Sequence, residues 1–293
     1  MKIASNKIAD IIRYFRDELS DKYDNGELET IIGWCFEDFV NIKSFELNAR
    51  KNETVTESEL LKFNFAVKDL KRMKPIQYVL GSADFYGMKF KVNGNVLIPR
   101  PETEELVEYI INDWKEECLK FQGRINILDI GTGSGCIPIA LKKKISSANV
   151  WSIDVSEDAL AVAKENALAN KVEINFMKED ILNPSIAFQS SSFNLIVSNP
   201  PYVCEQEKGE MLRNVLNYEP HLALFVADNN PLLFYDAISD FALKTLAPKG
   251  MLYFEINQRY GEETKAMLYA KGFKNVELKK DLNNKNRILR GEI

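Results

Sequence analysis

Ile125-Asn126-Ile127-Leu128-Asp129-Ile130-Gly131-Thr132-Gly133-Ser134-Gly135, running into Ile137-Pro138-Ile139-Ala140-Leu141, decides the fold of this 293-residue chain. A short apolar run, closely spaced glycines and a second apolar run read as strand, tight turn and helix. The same rhythm repeats downstream. Strands are expected near 149–153, 172–177, 193–198 and 251–256, with helices over 158–169, 232–246 and 261–270. Such alternation predicts an open α/β sheet. Two final runs, near 273–279 and 286–291, are expected to pair as an antiparallel ribbon.

Upstream the pattern is different. Ile8, Ile11, Ile12 and Phe15 share a helical face, as do Ile31, Ile32, Cys35, Phe36 and Phe39, so residues 3–70 predict a small helical bundle. The stretch from Phe85 to Val92, then Asn93-Gly94 and a run ending at Ile98, predicts a hairpin turning at the Asn-Gly pair. Pro99 and Pro101 restrict the chain before an amphipathic helix from about Glu102 to Leu119. The expected organisation is a helical domain over 1–74, a linker with a β-hairpin over 75–99, and an α/β domain over 100–293.

Composition narrows the chemistry. With 45% hydrophobic and 28% charged residues the chain should fold rather than remain disordered. Its net charge of −5, and 13 basic against 14 acidic residues in the first 80, argue against sustained binding to duplex DNA. Cys35, Cys118, Cys136 and Cys204 form no Cys-x-x-Cys pair, and His221 is the sole histidine. No metal site is therefore expected, nor an imidazole base. His221, beside Pro220, reads as a surface or packing residue. No apolar segment reaches the roughly 20 residues that cross a membrane, and the start resembles no leader, so the cytoplasm is the expected location.

Glycines at a strand end let a ligand approach the backbone, and the amides of the following helix can receive its anionic part. Asp154 ends the next strand, where its carboxylate can accept from ribose hydroxyls. The turn alone would also suit a dinucleotide enzyme. Asp129 shifts the balance, because a carboxylate beside the turn repels a pyrophosphate but can help position the ammonium of an amino-acid-bearing cofactor. S-adenosylmethionine carries both that zwitterionic tail and a ribose. Asp180 can accept from the adenine amino group with Ile181 against the ring, although a loop carboxylate and a core residue would read the same way.

Asn199-Pro200-Pro201-Tyr202 ends the apolar run Phe193 to Val197. Sequential winding places that strand beside the glycine-turn strand. The Asn199 side-chain oxygen and the Pro200 carbonyl can each accept one hydrogen of a planar amino group, while the prolines present no competing N–H and Tyr202 can cover the group. An amide nitrogen is a poor nucleophile, and two directed acceptors stabilise the positive charge it develops on attack. A nucleobase amine and a protein amide both satisfy this geometry.

The motifs now resemble a known family. Pro75-Ile76-Gln77-Tyr78-Val79-Leu80-Gly81, continuing through Phe85, Gly87 and Phe90 to Val96-Leu97-Ile98-Pro99-Arg100-Pro101-Glu102-Thr103-Glu104, is similar to the linker of bacterial peptide chain release factor N5-glutamine methyltransferases, as are Asp129 to Gly135 and Val197 to Tyr202. The similarity spans nearly the whole length. It implies a class I S-adenosylmethionine-dependent methyltransferase sheet with a small N-terminal helical domain and a connecting β-hairpin. It also implies methyl transfer to the glutamine of the Gly-Gly-Gln motif in release factors, with the N-terminal helices docking that partner. Gly131, Thr132, Gly133, Ser134, Gly135 and Asp154 would contact the cofactor, and Asn199, Pro200, Pro201 and Tyr202 would receive glutamine, Asn199 and Pro200 being the catalytic pair. Tyr218-Glu219-Pro220 resembles a loop near the acceptor that Glu219 would orient. Arg100 would recognise substrate or pair with a nearby acid, and Glu102 and Glu104 would cap a helix. Relatives commonly carry glycines around 225–230 and at the position of Asn257. We expect a monomer that binds neither membrane nor DNA. The rivals are a DNA adenine-N6 methyltransferase acting on a flipped base, which the weak basicity opposes, and a noncatalytic protein-binding module.

Overall fold

The structure, a computed structural model, describes residues 3–117, 125–185 and 193–293. Cys118 and the end of the helix expected to reach Leu119 lie outside the described residues. Two compact units are present, Met1–Gly81 with Leu212–Tyr218, and Ser82–Met211 with Glu219–Ile293.

The first unit holds helices α1 (Ile8–Leu19), α2 (Asn25–Val40), α3 (Glu57–Leu70) and α4 (Ile76–Leu80), joined from later in the chain by α8 (Arg213–Tyr218). Sequence explains where they begin. The Asp24 side chain accepts from the Glu27 amide, and Thr56 and Glu59 form a reciprocal capping box that satisfies first-turn donors. The predicted faces are buried: Ile8, Ile11, Phe15, Ile31, Ile32, Cys35 and Phe36 enclose Phe63, whose ring lies 4.6 Å from that of Phe36. The Tyr218 hydroxyl donates to the Arg72 carbonyl at 2.9 Å and so ties α8 to this bundle.

The second unit begins with a hairpin of β1 (Ser82–Phe85) and β2 (Met88–Lys91). Its turn falls at Tyr86-Gly87, not at Asn93-Gly94 as the pair of residues suggested. Tyr86 and Gly87 take φ values of 50° and 73°, the left-handed geometry a two-residue hairpin loop needs. This register puts Ala83, Phe85 and Phe90 on one buried face, with the two phenyl rings 5.9 Å apart edge to face. Asn93 instead closes a local turn, its side chain accepting from the Asn95 amide and its carbonyl from Val96.

Then follow α5 (Pro101–Glu117), β3 (Asn126–Ile130), α6 (Cys136–Lys144), β4 (Asn149–Asp154), α7 (Glu157–Ala169), β5 (Asn175–Lys178) and β6 (Phe193–Ser198). A small parallel pair, β7 (Val203–Cys204) and β8 (Phe225–Val226), precedes α9 (Leu233–Thr245), β9 (Leu246–Glu255), α10 (Gly261–Lys271), β10 (Lys274–Lys280) and β11 (Asn286–Glu292). β5 starts later than the apolar pattern suggested. Lys171 is left-handed and the Val172 amide still bonds the Ala167 carbonyl, so these residues close α7 instead.

Among the described residues seven strands form one sheet in the order β10-β11-β9-β6-β3-β4-β5, parallel except where β11 pairs on both sides. The antiparallel terminal ribbon is as the sequence predicts. Period-two alternation divides the central strands between two cores. Ile127, Leu195, Val197 and Tyr253 face α5 and α6, whereas Leu128, Ile196, Leu252 and Phe254 face α9 and α10. Each such buried side chain contributes about 2 kcal/mol, and coverage of both faces explains the near-continuous apolar runs. The chain winds from β3 outward to β5, then returns to add β6 on the other side of β3. That reversal opens a crevice at the C-terminal ends of β3 and β6, where ligands bind in doubly wound sheets. Among the described residues no helix is long and apolar enough to cross a membrane.

Candidate active site

A cavity of about 270 Å³ occupies that crevice. One wall is the turn after β3. Gly131, Gly133 and Gly135 all have positive φ, at 78°, 52° and 82°. A Cβ on Gly131 or Gly133 would meet no atom within 4 Å, so the backbone there is laid open, while one on Gly135 would press on Ala163 and Ile139 at 3.1 Å. The first two glycines expose backbone to a ligand, and the third lets α6 and α7 approach. Pro138 is tolerated because it sits in the first turn of α6, where a backbone N–H has no helical partner.

Two side chains hold this turn in shape. Asp154, at the end of β4, accepts from the amides of Gly133 and Ser156, both at 2.9 Å. Burial raises its carboxyl above the ordinary range against the pull of those amides. A carboxylate has about four acceptor sites, so capacity remains for a ligand hydroxyl. Asn166, buried on α7, donates to the carbonyls of Ser134 and Lys91 at 2.9 and 3.0 Å and accepts from the Lys91 amide at 2.6 Å. It stitches the turn to β2 through α7. Nothing in the local sequence around Asn166 signalled this.

Asp129 stands behind the wall and does not line the cavity. It is fully buried, and Ser152 Oγ donates to its Oδ2 at 2.9 Å from the paired position on β4. Among the described residues its Oδ1 and the neighbouring Thr132 Oγ1 have no hydrogen-bond partner of good geometry. Burial pushes the carboxyl up to about 7, and the nearby Thr132 and Ser152 hydroxyls oppose that rise only in part. Thr132 is the residue of this pair that reaches the cavity.

The opposite wall comes from β6 and the α5 entrance. Asn199, Pro200 and Pro201 line the cavity together with Gly131 to Ser134, Asp154, Asp180, Ile181 and Arg100. Asp180 Oδ1 accepts from the Leu182 amide at 2.9 Å, which orders its loop and leaves acceptor capacity. Gly135, Tyr202 and Glu219 are not brought to the wall. The Tyr202 hydroxyl, expected to lie near a planar group that the ring covers, instead donates to Glu255 Oε1 at 3.1 Å. Glu219 is buried and spends both oxygens, one on the Arg100 guanidinium and the other on the Ile98 amide at 3.2 Å. It thereby fixes the 98–100 segment as cavity wall, and Arg100 both pairs with this acid and lines the cavity. His221 makes an edge-to-face contact with Phe225 at 5.2 Å, a packing role.

Sequence alone assigns Thr103 and Glu255 no role of their own, and marks Asn257 only as a departure from relatives. Asn199 Nδ2 donates to Thr103 Oγ1 at 3.3 Å, and Thr103 Oγ1 donates to Glu255 Oε2 at 2.6 Å. Asn257, where relatives carry glycine, donates to the Tyr202 carbonyl at 3.0 Å and to Glu207 at 2.9 Å, pinning the chain after Pro201. Pro99-Arg100-Pro101 marked the region of Thr103, but no spacing rule links it to β9.

These residues fit S-adenosylmethionine. The open backbone at Gly131 and Gly133 accepts a close ligand, the Thr132 hydroxyl and cavity-facing Asp154 and Asp180 offer polar partners, and Ile181 offers apolar surface. Fold and site define a class I S-adenosylmethionine-dependent methyltransferase. Residues 116–220 match the family described as the methyltransferase small domain. A solved structure, the 16S rRNA N2 G1207 methyltransferase of Thermus thermophilus in complex with AdoMet and guanosine, superimposes with a TM-score of 0.50 at 17% identity, covering 72% of this chain and 49% of that one. This likeness concerns the fold. The release factor glutamine methyltransferase of Flavobacterium psychrophilum is 47% identical over 94% of this chain and 95% of its own length. That of Bacteroides thetaiotaomicron is 39% identical over 95% and 98%. The chain belongs to the release factor glutamine methyltransferase family.

Proposed function

We propose that this protein transfers a methyl group from S-adenosylmethionine to the N5 amide nitrogen of the glutamine in the Gly-Gly-Gln motif of peptide chain release factors. The observation that carries the reading is the meeting of Asn199 and Pro200 with the glycine turn and Asp154 around a single cavity at the β3/β6 switch point. Near-full-length similarity to enzymes of this name supports the substrate, and nothing comparable supports DNA adenine.

When bound, the cofactor supplies an electrophilic sulfonium methyl. The protein's part is orientation and charge. Asn199 Oδ1 and the Pro200 carbonyl each take one N–H of the acceptor amide, which points the nitrogen lone pair across the cavity and stabilises positive charge as the N–C bond forms. The methylated amide is then strongly acidic, so its proton leaves without a strong base. Gly131, Thr132, Gly133 and Ser134 would hold the cofactor's amino-acid end, with Asp154 on the ribose and Asp180 and Ile181 on the adenine. Tyr202 acts from below, by anchoring the Asn-Pro-Pro loop to Glu255. We assign release factor docking to the N-terminal helical unit, and place a monomeric enzyme in the cytoplasm.

Incubation of the purified protein with labelled S-adenosylmethionine and intact release factors, followed by fragmentation mass spectrometry, tests this. Label should appear on the Gly-Gly-Gln glutamine and be absent from DNA in a parallel reaction. Label on DNA, or on no substrate despite cofactor binding, would establish one of the rival readings.

A further inference from the structure

Asn199 presents an amide with two unlike ends, a carbonyl oxygen that accepts and an NH2 that donates. Only the oxygen serves an acceptor that itself brings N–H groups. Something must choose which end faces the cavity, because rotation of about 180° exchanges them at little steric cost.

A buried chain of hydrogen bonds makes the choice. Glu255, 1% exposed at the end of β9, lies against the hydroxyls of Thr103 and Tyr202 at 2.6 and 3.1 Å. An ionised carboxylate has only lone pairs, so both hydroxyls must point their protons at it. Thr103, 2% exposed, has one proton and has spent it on Glu255. What its oxygen has left for Asn199 is a lone pair, and the amide must turn its NH2 end to it, as the 3.3 Å contact of Nδ2 records. Oδ1 is thereby assigned to the cavity. The polarity follows from Glu255 in its ionised form and does not depend on distinguishing nitrogen from oxygen at Asn199. Burial raises the Glu255 carboxyl above its ordinary range, and against this the Thr103 hydrogen bond and the charge of Arg287 favour the ionised form. The Arg287 guanidinium is itself held by Asp281 at 3.2 Å.

We propose that Thr103 and Glu255 are positioning residues that lock the Asn199 amide with its acceptor end toward substrate, so that the site selects a primary carboxamide over a carboxylate. The assignment rests on the reading of Asn199 as the partner of the acceptor glutamine. Exchange of Glu255 for glutamine should unlock it. A Gln amide at that position can donate to Thr103, which frees the Thr103 proton for Asn199 Oδ1 and turns the Asn199 NH2 into the cavity. Donor would then face donor.

The test compares wild type with Thr103→Val, Thr103→Ser and Glu255→Gln on intact release factor, measuring kcat and KM for transfer, cofactor Kd by calorimetry, and thermal unfolding. Expected is a loss of about 10²-fold in kcat for Thr103→Val and Glu255→Gln, a far smaller loss for Thr103→Ser, and a cofactor Kd that changes little. A release factor with glutamate in place of the acceptor glutamine should also inhibit Glu255→Gln more strongly than wild type. Glu255→Gln keeps the shape of the side chain, so it carries the test even where the valine variant folds poorly. Equal losses for Val and Ser, full activity in Glu255→Gln, or losses confined to cofactor affinity and unfolding temperature would overturn the proposal. Failure of wild type itself to modify the release factor would be a different result, refuting the function and this assignment with it.

Discussion

Asp129→Asn should make the ligand-free protein more resistant to urea at pH 8 than wild type, with much of that advantage gone at pH 4. Asp129 is fully buried and its Oδ1 lacks a partner among the described residues. Burial lifts its carboxyl from an ordinary 3.8 to about 7, and the charge of Asp154 pushes the same way. The folded state therefore binds this proton more tightly than the unfolded chain does. Its stabilising contribution is complete below about pH 4 and is lost as pH rises through about 7. A rise of that size corresponds to about 4 kcal/mol. The asparagine variant has no proton to lose, and its side-chain oxygen can still accept from Ser152. The difference in unfolding free energy between variant and wild type should then widen by up to about 4 kcal/mol between pH 4 and pH 8. Taking the difference removes the titrating groups that do not interact with Asp129, while Asp154, whose charge acts on it, contributes a smaller change of its own. Urea titrations followed by tryptophan fluorescence are suited to this, since Trp151 lies on β4 next to Ser152. A difference that stays constant from pH 4 to pH 8 would refute the reasoning, because it would mean Asp129 titrates alike in both states.

Asn199→Ala should lower kcat by about 10²-fold or more, by removal of a directed acceptor, while calorimetry finds cofactor affinity nearly unchanged. Unchanged turnover would remove Asn199 from the mechanism. Gly133→Ala forces a side chain into left-handed backbone at a cost of about 1–2 kcal/mol and projects a methyl into the cavity, so cofactor Kd should rise roughly tenfold or more. Asn166→Ala removes three hydrogen bonds, two part-buried ones to Lys91 and a buried one to Ser134. It should cost about 2–3 kcal/mol in chemical denaturation and weaken cofactor binding through the glycine turn. A variant that unfolds like wild type would show that the turn supports itself.

The sheet was legible because its central strands are apolar on both faces and alternate with glycine turns and helix-length segments, and both patterns are local. Phe193 to Ser198 and the ribbon near the C-terminus stand where the alternation puts them. The hairpin turn was misplaced because Asn93-Gly94 is the stronger local signal, while the burial of Phe85 and Phe90 on one face decides the register. Leu212–Tyr218 joins the N-terminal bundle through a tyrosine bond to Arg72, 146 positions away, and no window of sequence contains both ends.

The site divides along the same line. Residues that shape it through their own backbone, the glycines with positive φ and the proline pair after Asn199, announce themselves, because the conformation demands the residue type. Residues that shape it by holding another side chain do not. Thr103 in the first turn of α5 reads as an ordinary helix residue, and Glu255 as a charge closing an apolar strand. Their meaning appears only when β9 is laid beside β6, which brings positions 103, 199 and 255 into one hydrogen-bonded line. A carboxylate buried at that point is costly unless its lone pairs are filled. With Glu255 ionised, filling them directs the protons along the line up to the Asn199 amide at the cavity wall. The same burial cost therefore explains why Glu255 has partners and why Asn199 has an orientation.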